Sequence, residues 1–306
     1  MAHVRSPGFY QMKIGELQVT ALNDGVVSYK TGDVLPDAKP SDIKRFLEVN
    51  GYEDPVGMSY NGFLVNTGKK LILFDTGSGG KFADDPVFHG TGHLVESLKA
   101  AGYFPDQVDE VYITHQGPDH IGGLTTGAAA TFRNAVVRAP KAEFGWLFEP
   151  KKLHDIVSKS TDKTSVQHWI SFLTGCFEPY QKTGKLDLFH GSPIFPDGVR
   201  AMATYGHSPG HTSYVIASDR QTLIIMGDLV LSPMQFESPS LGSSFDGDRK
   251  AAAIQRDKVL GLAATDNDWI AGGHVSFPGV GKVRRAGQGF AFLPPQYEAS
   301  DENETR

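Results

Sequence analysis

Thr114-His115-Gln116-Gly117-Pro118-Asp119-His120-Ile121-Gly122-Gly123 is the stretch whose reading decides what this chain is. It follows an apolar run from Val108, read as a buried strand that ends on His115. Two histidines and one aspartate then fall within six residues of tight loop. Imidazole and carboxylate are donors that a borderline divalent cation such as zinc accepts. Taken alone, such a loop is as readily a polar turn after a strand as a metal site.

Three further clusters have the same form. Gly206-His207-Ser208-Pro209-Gly210-His211 lies beside the start of the strand read over Ser213–Ala217. Ile224-Ile225-Met226-Gly227-Asp228 runs an apolar strand directly into a carboxylate. Ala271-Gly272-Gly273-His274 ends a short strand that begins at Trp269 and is read as the last of the chain. A lone strand-end Asp or His is usually a cap or turn residue. Four such ends in one chain are hard to obtain by chance.

Between these clusters the pattern is mixed. Glu16–Leu22 alternates as a strand and stops at Asn23-Asp24-Gly25. Tyr60–Val65, then the turn signal Thr67-Gly68-Lys69-Lys70, then Leu71–Phe74 reads as a hairpin closed by Asp75-Thr76-Gly77. Helices are expected over His93–Ala101, around Ala142–Phe148 and Val166–Thr174, and over Arg249–Ala263. Further strands are expected at Ala135–Val137, Asp187–Phe189, Val199–Thr204 and Thr222–Met226. Strands separated by helices, with histidines at strand ends, imply an α/β layered protein with its site along one sheet edge. No linker or repeat divides the chain, so residues 1–306 are expected to form a single domain.

Composition narrows the function. A net charge of −6 gives no global attraction for nucleic acid or anionic membrane, so neither is an expected partner. The single cysteine, Cys176, excludes an intrachain disulfide framework and a thiolate-rich metal site, and reads as a small core residue. Gly206-His207-Ser208-Pro209-Gly210 has the Gly-x-Ser-x-Gly spacing, but it lies between two expected strands rather than between a strand and a helix, so it is not read as a serine-hydrolase elbow. The first eight residues lack the apolar run of a signal peptide, so a cytoplasmic location is expected unless a native leader lies outside this chain.

The order and wording of the clusters resemble the metallo-β-lactamase superfamily, from about Gly8 to Tyr297. Its usual first motif is His-x-His-x-Asp-His, preceded by Thr and followed by Gly-Gly. Leu73-Phe74-Asp75-Thr76-Gly77 matches its strand-ending Asp-Thr-Gly. Gly90-Thr91-Gly92-His93-Leu94, Phe245-Asp246-Gly247-Asp248 and His274-Val275-Ser276-Phe277-Pro278-Gly279 are similar to the branch of methyl parathion hydrolase and related organophosphate hydrolases, close to the lactonases. The resemblance implies a four-layer αββα sandwich and a metal-dependent hydrolase. A metal-bound hydroxide would cleave a small ester, lactone or phosphotriester. Zinc is the expected ion, one or two of them, with manganese, cobalt or iron as alternatives.

Carried over position by position, the metal ligands fall on His115, Asp119, His120, His207, Asp228 and His274. Asp228 would bridge two metals. His115 and His207 would serve the first, and Asp119, His120 and His274 the second. Asp119 and Asp228 are the catalytic candidates, Asp119 by accepting a hydrogen bond from the hydroxide. His211 would orient a ligand rather than bind metal, and Asp75 would support the site. The chain departs from the motif at Gly117, where the second His should stand, so the first metal loses a donor. Gln116 as a replacement oxygen is a poor one. Two alternatives stay open: a binding protein on a degenerate site, and an iron-dependent redox relative. Phe144, Trp146, Phe148, Trp169 and Phe172 fall in the region that forms the substrate pocket in the related branch, although at least half of them read better as helix core. A homodimer is a base-rate expectation.

Overall fold

A computed structural model describes residues 7–82 and 88–296. The N-terminal residues Met1–Ser6 and the far end of the resemblance, Tyr297, lie outside the described residues.

Strands β1 (Phe9–Ile14), β2 (Leu17–Tyr29), β3 (Val56–Asn66), β4 (Leu71–Phe74) and β5 (Glu110–Tyr112) come first, then a two-stranded hairpin of β6 (Thr125–Thr126) and β7 (Ala129–Ala130). The chain continues through β8 (Val136–Pro140), β9 (Leu186–Phe189), β10 (Arg200–Ala203), β11 (Thr212–Ser218) and β12 (Gln221–Ile225). It closes with β13 (Trp269–Ala271), β14 (Val280–Ala286) and β15 (Gly289–Leu293). One sheet is ordered β1-β2-β3-β4-β5-β8-β9 and the other β10-β11-β12-β13-β14-β15. Helices α1 (Thr31–Val34), α2 (Pro40–Asn50), α3 (Leu94–Ala100), α4 (Pro118–Ile121), α5 (Lys141–Phe144), α6 (Pro150–Lys159), α7 (Lys163–Lys182), α8 (Met234–Glu237) and α9 (Arg249–Asp266) connect them.

Side-chain alternation builds the four layers. On β4, Ile72 and Phe74 face the second sheet while Leu73 faces outward. On β11, Tyr214 and Ile216 face the first sheet while Val215 faces outward. Successive strand residues point to opposite faces, so each sheet is apolar on both. The inner faces meet in one core of Phe63, Phe74, Tyr112, Tyr214, Ile225 and their neighbours. The outer face of the first sheet is covered by Leu98 of α3 and by Leu173, Cys176, Phe177 and Tyr180 of α7. That of the second is covered by Val259, Leu260 and Ala263 of α9. The result is the αββα sandwich.

Several expected boundaries moved, each for a physical reason. The strand expected to stop at Asn23-Asp24-Gly25 runs on to Tyr29, because a bulge between Asn23 and Gly25 absorbs the break. The helix expected over Val166–Thr174 extends from Lys163 to Lys182. Gly175 and Pro179 argued against that, but Leu173, Cys176, Phe177 and Tyr180 keep one buried stripe through them. Ala142–Phe148 is a short helix followed by a 3-10 turn. Trp269–Ala271 is not the last strand, for β14 and β15 follow as a hairpin whose apolar residues are interrupted by Gly, Lys and Arg.

Four strands end at one edge. β4 and β5 are parallel neighbours and lead into Asp75 and His115. β12 and β13 are parallel neighbours and lead into Asp228 and His274. This is how candidate ligands dispersed along the sequence arrive in one place. Among the described residues no helix is long and apolar enough to cross a membrane.

Phe74 is fully buried between the sheets, its ring 5.5 Å from that of Tyr112 and 5.6 Å from that of Tyr214. Phe74→Ala is expected to lower unfolding free energy by about 3–5 kcal/mol in urea denaturation. A loss below about 1 kcal/mol would show that the two sheets do not share this core.

Candidate metal centre

The six candidate ligands converge at this edge in two groups. His115, His207 and Asp228 form one, and Asp119, His120 and His274 the other; within each, ligand atoms lie within 4.8 Å of one another. Asp228 joins them. Its Oδ2 is 3.6 Å from His115 Nε2, 3.4 Å from His207 Nε2 and 3.1 Å from His274 Nε2. Its Oδ1 is 3.1 Å from His120 Nε2. Asp119 Oδ2 stands 3.3 Å from His120 Nε2 and 3.2 Å from His274 Nε2.

Each imidazole is fixed through its far nitrogen. Asp75 Oδ2 lies 2.7 Å from His120 Nδ1, and the same carboxylate accepts the Thr114 N–H and hydroxyl, each at 2.9 Å. Thr114 Oγ1 is in turn 3.1 Å from His115 Nδ1. Asp246 Oδ1 holds His207 Nδ1 at 3.0 Å. The Ser59 carbonyl holds His274 Nδ1 at 3.1 Å, and Tyr60 packs edge-on against the His274 ring. His211 is committed elsewhere: Nε2 accepts the Asp228 N–H at 3.0 Å and Nδ1 pairs with Thr204 Oγ1 at 2.9 Å. It thus aims Asp228 instead of offering a lone pair of its own. Such outer partners set tautomer and ring direction.

The electrostatics show what these side chains lack. Burial pulls the His274 imidazole down, but Asp228 and Asp119 outweigh it and lift its pKa to about 10. His120 is raised against burial in the same way by Asp228, Asp119 and Asp75. Burial opposes the Asp228 and Asp119 carboxylates as well, yet the imidazoles beside them hold both below the usual carboxylate range. By contrast, burial and His120 keep His115 well below the ordinary imidazole range, and burial and His207 push His211 down to about 3. Two desolvated carboxylates are therefore drawing positive charge onto their neighbours. His120 Nε2 and Asp228 Oδ1 are nevertheless buried without a hydrogen-bond partner. An imidazole nitrogen and a carboxylate oxygen that face each other at 3.1 Å without a hydrogen bond suit a cation between them. The donors are nitrogen and carboxylate oxygen with no thiolate, which suits zinc.

Gly117 has φ −55° and ψ 136°, a conformation open to any residue. A Cβ there would nonetheless lie 2.6 Å from His115 Nε2, 2.9 Å from His120 Cδ2 and 3.2 Å from Asp119 Oδ1. The position points into the centre, and a side chain on it must displace the His115 ring.

The aromatics singled out between the first two clusters pack with the outer core of the first sheet. Phe144 is fully buried in the outer core of the first sheet, and Trp146, Phe148, Trp169 and Phe172 pack half-buried against that core. The site aromatic that sequence reading missed is Tyr60, whose hydroxyl pairs with that of Tyr29 at 3.1 Å. Asp24, given no role from sequence, accepts the backbone N–H groups of Ser78, Gly92 and Leu94. It thereby anchors the loop after Asp75. Asp246 and Arg256 also went unassigned, although the motif holding Asp246 was noticed. Arg256 is completely buried and donates to the carbonyls of Leu229, Pro239 and Leu241, with its guanidinium 3.6 Å from Asp246 Oδ2. An Arg in helical register with Ala252, Val259, Leu260 and Ala263 of α9 was the available signal.

With this geometry in hand, comparison with known proteins gives the class. The family model of the metallo-beta-lactamase superfamily matches residues 56–274, and the chain belongs to that family. Among solved structures, the hydrolase AbOPH of the beta lactamase superfamily superposes with a TM-score of 0.88 at 29% identity, covering 97% of this chain and 100% of that one. AidC, a dizinc quorum-quenching lactonase in complex with a product, N-hexnoyl-L-homoserine, gives 0.82 at 29% identity over 95% and 99%. The N-acyl homoserine lactonase of Bacillus cereus is 25% identical over 213 residues, 65% of this chain and 74% of that protein.

Removing Arg256 would leave Asp246 buried without its cation and three carbonyls without a donor. Arg256→Met is expected to lower stability by about 3–5 kcal/mol, read by urea denaturation. An unchanged unfolding midpoint would show that the His207 support does not depend on it.

Proposed function

We propose that this protein is a two-metal hydrolase that opens small lactones. The observation that carries the reading is the pair of ligand groups sharing Asp228. His115, His207 and Asp228 would hold one ion, and Asp119, His120, His274 and Asp228 the other. Zinc bound there supplies a Lewis acid and makes water acidic near neutral pH.

The protein's own groups do the rest. Asp228 fixes the spacing of the two groups, and His211 fixes Asp228 through its backbone N–H. Asp119 turns Oδ2 toward His120 and His274, while Oδ1 stands on the Gly117 side, 3.2 Å from where a Cβ on that residue would lie. Asp119 Oδ1 is the base that accepts a proton as water attacks the lactone carbonyl carbon. The same proton passes to the ring oxygen as its bond to that carbon breaks, giving a hydroxy acid with one water consumed. The missing side chain at Gly117 leaves the first ion three protein donors, fewer than the second. The second group is therefore expected to fill first.

The lactone assignment follows the relatives: AidC is described as a lactonase and holds an N-acyl homoserine product, and the Bacillus cereus protein is named for the same chemistry. A neutral phosphotriester is the comparison substrate.

Asp228→Ala is expected to abolish both metal binding and lactone hydrolysis, measured by elemental analysis and by release of acid from an N-acyl homoserine lactone. His211→Ala is expected to retain metal and lose about 10–100-fold in rate, as changes outside the ligand set do. Equal loss in the two variants would mean that His211 is itself a ligand. Full hydrolysis by the metal-stripped protein would end the metal reading.

A further inference from the structure

Glu143 lies outside both ligand groups, yet it is 1% exposed and its carboxylate is aimed at both ligand-bearing loops. Oε1 accepts the Gln116 N–H at 3.1 Å, next in sequence to His115. Oε2 accepts the Gly210 N–H at 2.6 Å, between His207 and His211. One carboxylate therefore ties the loop that leaves the first sheet to the loop that enters the second. The second loop is pressed against its base: a Cβ on Gly210 would fall 2.3 Å from the Glu143 backbone nitrogen. Glu143 stands just after β8, a parallel neighbour of β5, and so moves with the strand that delivers His115.

We infer that Glu143 is a positioning residue for the first metal group, setting the separation of His115 and His207. The inference rests on the two-ion reading above. The second group has its own supports, since His120 is held by Asp75 and His274 by the Ser59 carbonyl, and neither passes through Glu143. The first group has only three protein donors, so misalignment of two of them leaves it little. Charged acceptors for buried N–H groups are also the strong kind. In Glu143→Gln one carboxylate oxygen becomes an NH2 that faces a backbone N–H, so one of the two ties must open.

The test is cobalt titration of metal-stripped protein, followed by visible absorption and by bound stoichiometry. Native protein is expected to take two equivalents. Glu143→Gln is expected to keep one equivalent at native affinity and to bind the other about 10–100-fold more weakly, with excess cobalt restoring it. Tyr180→Phe is the control for mere loss of stability. Tyr180 accepts the Phe132 N–H and donates to the Leu124 carbonyl within the first-sheet core, and this variant should keep both equivalents tight. Two tight equivalents in Glu143→Gln, or equal weakening of both, would overturn the role of Glu143. A native protein that takes no cobalt would instead remove the metal centre on which that role rests.

Discussion

The structure is organised around a carboxylate that water cannot reach. Asp228 is buried within 3.1–3.6 Å of four imidazole nitrogens, with Asp119 beside two of the same rings. A desolvated carboxylate is tolerated only where positive charge and hydrogen bonds surround it. Every neighbouring feature answers that requirement. Parallel strand pairs bring the groups to one edge, outer partners fix each ring, and His211 and Arg256 carry the constraint outward into the backbone. Asp228 and Asp119 raise the pKa of both His120 and His274, and a bound cation would supply positive charge in place of those protons.

The fold and the convergence of the six candidate ligands were legible because a metal site of this kind demands particular residue types at strand ends. His115, Asp119, His120, His207, Asp228 and His274 could be named from local wording and order. Of their supports, Asp75 and His211 could be named in the same way, but the partners of His207 and His274 could not. Asp246 meets His207 across 39 residues and Ser59 meets His274 across 215; the stretch holding Asp246 was marked only by resemblance, and nothing local gives either residue its role. Glu143 resembles any acidic residue at the start of a short helix until Gln116 and Gly210 are seen to converge on it. Secondary structure was missed where opposing signals met, as at Pro179 in a helix held by its buried stripe, or in β14 and β15 with Gly and Arg among the apolar positions.

Gly117 shows why sequence and structure have to be read together. From sequence it is a missing donor. In the fold His115 Nε2 and Asp119 Oδ1 crowd the place where its side chain would begin. The absent donor and the close approach of these groups belong to one position, so a histidine there would have to move the His115 ring.

The most direct test of the two-group centre is a crystal of zinc-supplied protein with diffraction recorded across the zinc absorption edge. Two anomalous peaks should appear, one bounded by His115, His207 and Asp228 and the other by Asp119, His120, His274 and Asp228. No peak within ligand reach of these side chains, or a single peak bound to residues outside the set, would contradict the account.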